Sequence, residues 1–167
     1  YAHQQKIPIA NMSLVIQINS DALHTAVQAA ARGGMVLVAA SVNHATAVSW
    51  PAKYAEIVAV AATDLNDQRG PFSNFGPEIE VAAPGVDILS TYRENGYHRL
   101  SGTSMAAAHV SALAGLIRGL RPDLSADELR TIMRETARDV NAATLPGDDD
   151  YLGAGRIDFY AALYRAS

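Results

Sequence analysis

Met35-Val-Leu-Val-Ala-Ala-Ser-Val42 and, after a loop holding Trp50, Pro51 and Tyr54, Ile57-Val-Ala-Val-Ala-Ala62 are two apolar runs of strand length, largely free of polar residues. A strand that is apolar on both sides needs cover on both sides, which a parallel sheet between two helical layers provides. Helical patterns flank these runs. Ser20 to Arg32 carries Leu23, Ala26, Val27 and Ala30 at helical spacing, behind a Ser20 cap and before Gly33-Gly34. Upstream of it, Ile7 to Leu14 is a short apolar strand candidate. The expected fold class is therefore α/β, a mostly parallel sheet with helices on both faces.

Further along, Asp64 to Arg99 changes texture to turns and short extended pieces, with Asn95-Gly96 marking a hairpin between Ile88-Leu-Ser-Thr-Tyr92 and Tyr97-His-Arg-Leu100. Thr103 to about Leu120 is Ala-rich and almost uncharged, which predicts a helix buried on most sides. Ser125-Ala-Asp-Glu128 is a capping-box pattern opening a helix to about Arg138, and Asp158 to Arg165 reads as a terminal helix whose stripe of Tyr160, Leu163 and Tyr164 packs inward.

Bulk properties narrow the function classes. The 167 residues are 49% apolar with a net charge of −4, and no basic run offers a footprint for nucleic acid. Without cysteine there are no disulfides, thiolate metal sites or thiol nucleophile. The apolar runs fall far short of the roughly 20 residues that span a bilayer. Tyr1-Ala-His-Gln-Gln-Lys-Ile-Pro8 has neither a starting Met nor the charge and hydropathy of a signal peptide, so the chain is expected to begin inside a longer protein.

The residues with chemical potential lie in Ser101-Gly-Thr-Ser-Met-Ala-Ala-Ala-His-Val110, where a Gly-Thr turn feeds Ser104 into the first turn of the Ala-rich helix. Free N–H groups and the positive end of the helix dipole gather there and would stabilise an anion formed at a substrate of that serine. From this pattern alone, Ser104 is equally a helix cap.

The wider string decides between them. Gly102-Thr-Ser-Met-Ala-Ala-x-His-Val110 is very similar to the nucleophile motif of the subtilases, the subtilisin-like serine proteases. Asn11-Met-Ser-Leu14, Val36-Leu-Val-Ala-Ala40, Asn43, Trp50-Pro-Ala-Lys-Tyr54, Ile57-Val-Ala-Val60, Phe72-Ser-Asn-Phe-Gly-Pro77, Val81-Ala-Ala-Pro-Gly85 and Gly153-Ala-Gly-Arg-Ile157 resemble subtilase segments in family order. The resemblance implies that residues 1–167 are the C-terminal part of one subtilisin-like peptidase domain, a three-layer fold whose N-terminal part is missing. It implies Ser104 as the acylating serine and Asn43 as the side-chain donor to the oxyanion. Ser13, Leu14 and Val15 on one side and Ala40, Ser41 and Val42 on the other would bind substrate. No cofactor is implied for catalysis, although family members often hold structural calcium or sodium, here through the carbonyls of Ala52, Tyr54 and Ile57. The implied partners are a peptide or protein substrate and the missing N-terminal part or a complementing chain, in a secreted or extracytoplasmic setting.

The family's aspartate and histidine should precede Ser104, yet no Asp-[Ser/Thr]-Gly or His-Gly-Thr-His string does. His3, His24, His44, His98 and His109 each have a plain explanation: terminus, helix surface, loop, hairpin and helix packing. His109, five residues beyond Ser104, points about 140° away around the helix. Departures from the family pattern are Val15 and Ile16 in place of two glycines, Val42 in place of a third, Ala108 for proline and Ala112 for glycine. Two readings stay open: part of a complete endopeptidase, or a pseudoprotease serving as a binding module with Val15, Ile16 and Val42 filling the cleft. An unrelated serine hydrolase is disfavoured, because there is no Gly-x-Ser-x-Gly elbow. Asp64 to Asp67 reads as a turn rather than a metal loop, Asp148 to Asp150 as a solvated acidic loop, and Trp50, Tyr54, Tyr92 and Tyr97 as aromatics covering the core edge.

Overall fold

The computed structural model describes residues 1–2 and 4–167, so His3 lies outside the described residues. Four parallel strands, β1 (Ile9–Met12), β2 (Val36–Ala40), β3 (Ile57–Thr63) and β4 (Ile79–Pro84), form a sheet in that spatial order. Every residue of β2 and β3 is buried, as two-sided cover demands. Successive side chains alternate between two cores. Val36, Val38, Ala40, Val58, Val60 and Ala62 face the layer of α2 (Thr103–Leu120), α3 (Ala126–Glu135) and α4 (Phe159–Ala166). Leu37, Ala39, Ile57, Ala59 and Ala61 face α1 (Asp21–Arg32), which buries Val27. The hairpin of β5 (Ile88–Tyr92) and β6 (Gly96–Leu100) stands apart as a two-stranded ribbon.

Local signals act as expected at the helix starts. Ser20 Oγ accepts the Leu23 N–H, Asp158 accepts the Ala161 N–H, and Ser125 with Glu128 makes a reciprocal capping box. Several expectations are corrected. β4 was hidden in the turn-rich stretch, because Glu80 and Pro84 break its apolar pattern. The third helix stops at Glu135 rather than Arg138, since the Arg138 N–H leaves the helix to donate to Arg156 C=O at 2.7 Å. Tyr160 and Tyr164 do not pack inward; they stack on each other in solvent at a 6.2 Å centroid distance while Leu163 reaches the core. Likewise Tyr92 and Tyr97 are exposed on the hairpin, whereas Tyr54 is buried and Trp50 packs against the α1-side core.

Glu80 explains itself through a residue 50 positions away. It is 4% exposed, and both carboxylate oxygens accept from Arg130 Nε at 2.7 and 2.6 Å. Arg130 Nη1 also donates to Ala55 C=O at 2.9 Å, so one guanidinium ties α3 to β4 and to the loop entering β3.

Helix α2 is less enclosed than its composition implies. Thr103, Ala106, Ala107, Val110, Leu113, Ala114 and Ile117 are buried against the sheet, but Ala108, Ala112, Gly115 and Leu116 face outward. On the same side of the molecule, β1 pairs among the described residues only with β2, and Ile7, Leu14, Val15 and Ile18 nearby are exposed. Proteins commonly cover or blunt an unpaired strand edge that lies next to small and apolar side chains.

Candidate active site

The start of α2 is set by close backbone approach. Gly102 N–H donates to Gly85 C=O at 2.7 Å, and a Cβ on Gly85 would lie 2.6 Å from Ala62 Cβ and 2.9 Å from Gly102 O. Only glycine permits that approach. Gly102 is the N-cap and offers no side chain, so Ser104 is the second helical residue and does not cap. Its hydroxyl is half-buried at the N-terminus of the helix, and its N–H has no acceptor among the described residues.

Beside it, Asn43 leaves the C-terminal end of β2. Its Oδ1 accepts two hydrogen bonds from Thr103, from the N–H at 2.8 Å and from Oγ1 at 2.9 Å. A backbone N–H needs an acceptor, so the carbonyl end of the amide must face Thr103 and Nδ2 must face outward. A Cβ on Gly102 would come within 3.1 Å of Nδ2, so the amide lies across the glycine that opens the helix. Thr103 Oγ1 also accepts the Val42 N–H at 3.1 Å. Thr103 thereby fixes both the amide and the backbone before it, a role the sequence reading did not assign.

Of the other residues singled out, Ser13 is exposed and its Oγ donates to Ser104 C=O at 3.1 Å, which ties the end of β1 to the serine's turn. Leu14 and Val15 are exposed, and Ile16 N–H donates to Trp50 C=O at 2.9 Å. Ala40 and Ser41 are buried, the latter with Oγ donating to Asn74 C=O at 3.4 Å, so neither presents its side chain to a ligand. Val42 is 8% exposed. A cleft of about 420 Å³ lies against Ser104, lined by Met105, Ala108 and His109 of α2 and by Ile88 to Thr91 of β5.

Val42 has φ +88°, a left-handed conformation that a β-branched residue adopts only under constraint. That strain costs about 1–3 kcal/mol, while its burial contributes about 1.5–3 kcal/mol. The two nearly cancel. In the full-length protein Val42→Gly is therefore expected to change stability by less than about 1 kcal/mol, whereas Val60→Gly, inside β3 without such strain, loses more than about 3 kcal/mol. Urea midpoints of the two variants check this; equal losses would remove the strain argument.

None of the described histidines meets Ser104 Oγ. His109 Nδ1 bonds Met105 C=O at 2.9 Å on its own helix. His44 is exposed in the Asn43 loop, and the His98 ring lies tilted against Tyr92 on the hairpin. His24 is more engaged than a surface position implies: it stacks on Tyr54 at 4.2 Å, with Nε2 3.2 Å from Glu56. Partial burial works to raise the Glu56 carboxyl, but bonds from its own backbone, Gln28 and His24 together hold it below its ordinary value.

For a cation, Tyr54 C=O already accepts the Ile57 N–H at 3.0 Å, and the described residues contain no group of three His, Asp or Glu placed to hold a metal. Asp64 Oδ1 accepts the N–H groups of Asn66 and Gln68 at 2.8 Å each, the bonding of a plain turn. Among the described residues no helix is long and apolar enough to cross a membrane.

Comparison with known proteins gives the family of the chain. The chain is 41% identical to Subtilisin DY of Bacillus licheniformis over 97% of its own length and 59% of that protein's. It is also 41% identical to the Thermostable alkaline protease of Halalkalibacterium halodurans, over 89% of this chain and 41% of that one. Among solved structures, a protease from Pseudoalteromonas arctica superposes with a TM-score of 0.87 at 32% identity, covering 96% of this chain and 51% of the other. The chain thus spans between 41% and 59% of the length of these relatives. With the subtilase family model, Peptidase_S8, matching residues 1–155, the chain belongs to the subtilase family.

Proposed function

We propose that residues 1–167 are the C-terminal part of a single subtilisin-like peptidase domain, and that the complete domain is a serine endopeptidase acting through Ser104. The observation that carries this reading is the fixed amide of Asn43, whose Nδ2 is left as a donor beside the free N–H of Ser104. In this reading Ser104 Oγ attacks a peptide carbonyl carbon, and its proton passes to a histidine held in place by an aspartate, both from the upstream part of the domain. Asn43 Nδ2 and the Ser104 N–H receive the oxygen that becomes negative. Collapse of the tetrahedral species expels the amine, which takes the proton from the histidine, and water then releases the acyl group. The exposed segment Ser13 to Val15 offers an extended backbone for substrate to pair with, and the Ser13 bond to Ser104 C=O keeps that segment in register with the nucleophile.

The upstream part, or a complementing chain, is proposed to cover the free edge of β1 and the outward face of α2, bringing the histidine to the cleft beside Ser104. An extracytoplasmic setting belongs to the same proposal. The buried Val42, where the family has glycine, favours the pseudoprotease as a second reading, but the exposed Leu14 and Val15 weigh against a site filled from that segment.

The test is Asn43→Ala in the full-length protein. The loss known from removing this donor in subtilisin sets the scale, about 10²–10³ in kcat with KM nearly unchanged. An active protein in which Asn43→Ala turns over normally would remove Asn43 from the mechanism. A folded protein that hydrolyses no peptide would leave the binding module as the better reading.

A further inference from the structure

We infer that Asn74 is a positioning residue for the oxyanion donor, holding the loop that begins at Asn43; this rests on the protease reading above. Asn74 is 1% exposed, and its hydrogen bonds run almost entirely to that loop. Oδ1 accepts from His44 N–H at 2.8 Å and Thr46 N–H at 3.3 Å, Nδ2 donates to Ala47 C=O at 2.7 Å, and the backbone N–H donates to Val42 C=O at 2.9 Å. Its neighbours continue the strap, with Ala45 N–H donating to Phe72 C=O at 2.8 Å and Phe75 N–H to Thr46 C=O at 2.9 Å.

The loop cannot hold this shape unaided. Asn43 to Ala47 are all exposed and bury no side chain that could anchor them. Both Val42 and Ala45, at φ +88° and +54°, sit in the left-handed region that residues with a Cβ avoid. Released, the segment would relax toward ordinary backbone and carry Asn43 with it. Thr103 fixes the amide from the helix side and Asn74 fixes the backbone from the opposite side, so the donor is set by two independent clamps. A donor helps only where it already points when charge develops, so a displaced amide loses turnover rather than substrate affinity.

A double-mutant cycle in the full-length protein tests this. Asn74→Ala is expected to lower kcat by about 10- to 100-fold with KM little changed, bounded above by the loss of the donor itself. In an Asn43→Ala background the same change is expected to cost less than about threefold, because nothing remains to position. Asn74→Ser adds no charge and supplies a hydroxyl that can accept from one of the two loop N–H groups; it is expected to fall between wild type and alanine, and it serves in the cycle if the alanine variant fails to fold. An equal loss in both backgrounds, or a lowered melting temperature with unchanged kcat, would show a structural role only and overturn the inference. A wild-type protein without peptidase activity would instead overturn the protease reading, and this inference with it.

Discussion

In the full-length protein, Ser104→Ala is expected to abolish labelling by a fluorophosphonate probe and to lower peptide turnover by about 10⁶-fold, the scale known for loss of the serine in subtilisin. The size of the effect follows from the arrangement around the hydroxyl. Ser104 is the second residue of α2, so its N–H is free and its Oγ stands at the positive end of the helix. Thr103 is the adjacent hydroxyl, but its Oγ1 is committed to Asn43 and Val42 and is fully buried. Circular dichroism should be unchanged, because alanine suits a helix interior and Ser104 caps nothing. Labelling that persists in the alanine variant would place the reactive group elsewhere. Labelling absent from folded wild-type protein would sink the peptidase reading altogether. Applied separately to the 167-residue chain, the probe should give no label, since among the described residues no histidine meets the serine.

The second large effect concerns stability. Arg130→Met leaves the Glu80 carboxylate buried without its partner, and breaking such a pair costs about 3–5 kcal/mol. Arg130 is partly exposed, which lets water soften the loss and puts the expectation at the low end, near 3 kcal/mol. Replacing both residues, Glu80→Met with Arg130→Met, removes the charge as well as its partner and is expected to recover most of that loss. Urea midpoints of the three variants decide it. A double variant no better than the single would mean that the Arg130 bond to Ala55 C=O, rather than the ion pair, holds α3 in place.

Much of this was legible in the residues because the signals are local. The two-sided apolar character of Val36–Ala40 and Ile57–Thr63 reported a covered parallel sheet, and Ser20, Ser125 and Asp158 marked helix starts by chemistry confined to one turn. What stayed hidden depends on partners distant in sequence. Strand β4 reads as turn because Glu80 looks like a surface residue until Arg130 is placed beside it. Asn74 stands in the sequence only as part of the Phe72–Pro77 segment, and only the fold brings it under a segment some thirty residues earlier. The outward face of α2 was misjudged for a related reason, since a small apolar face looks the same in sequence whether its cover lies in this chain or outside it. At the candidate site, Ser104 and Asn43 were nameable from motif resemblance, but the double grip of Thr103 on the amide was not.

The helix that presents Ser104 has its buried face in the middle of the larger core, touching all four strands of the sheet. Its first turn therefore cannot loosen by local fraying without disturbing Ala106, Ala107 and Val110 beneath it. In use, this makes the serine a gauge of the whole domain: labelling should vanish over the same temperature interval as the global melt, with no earlier, separate loss of the site.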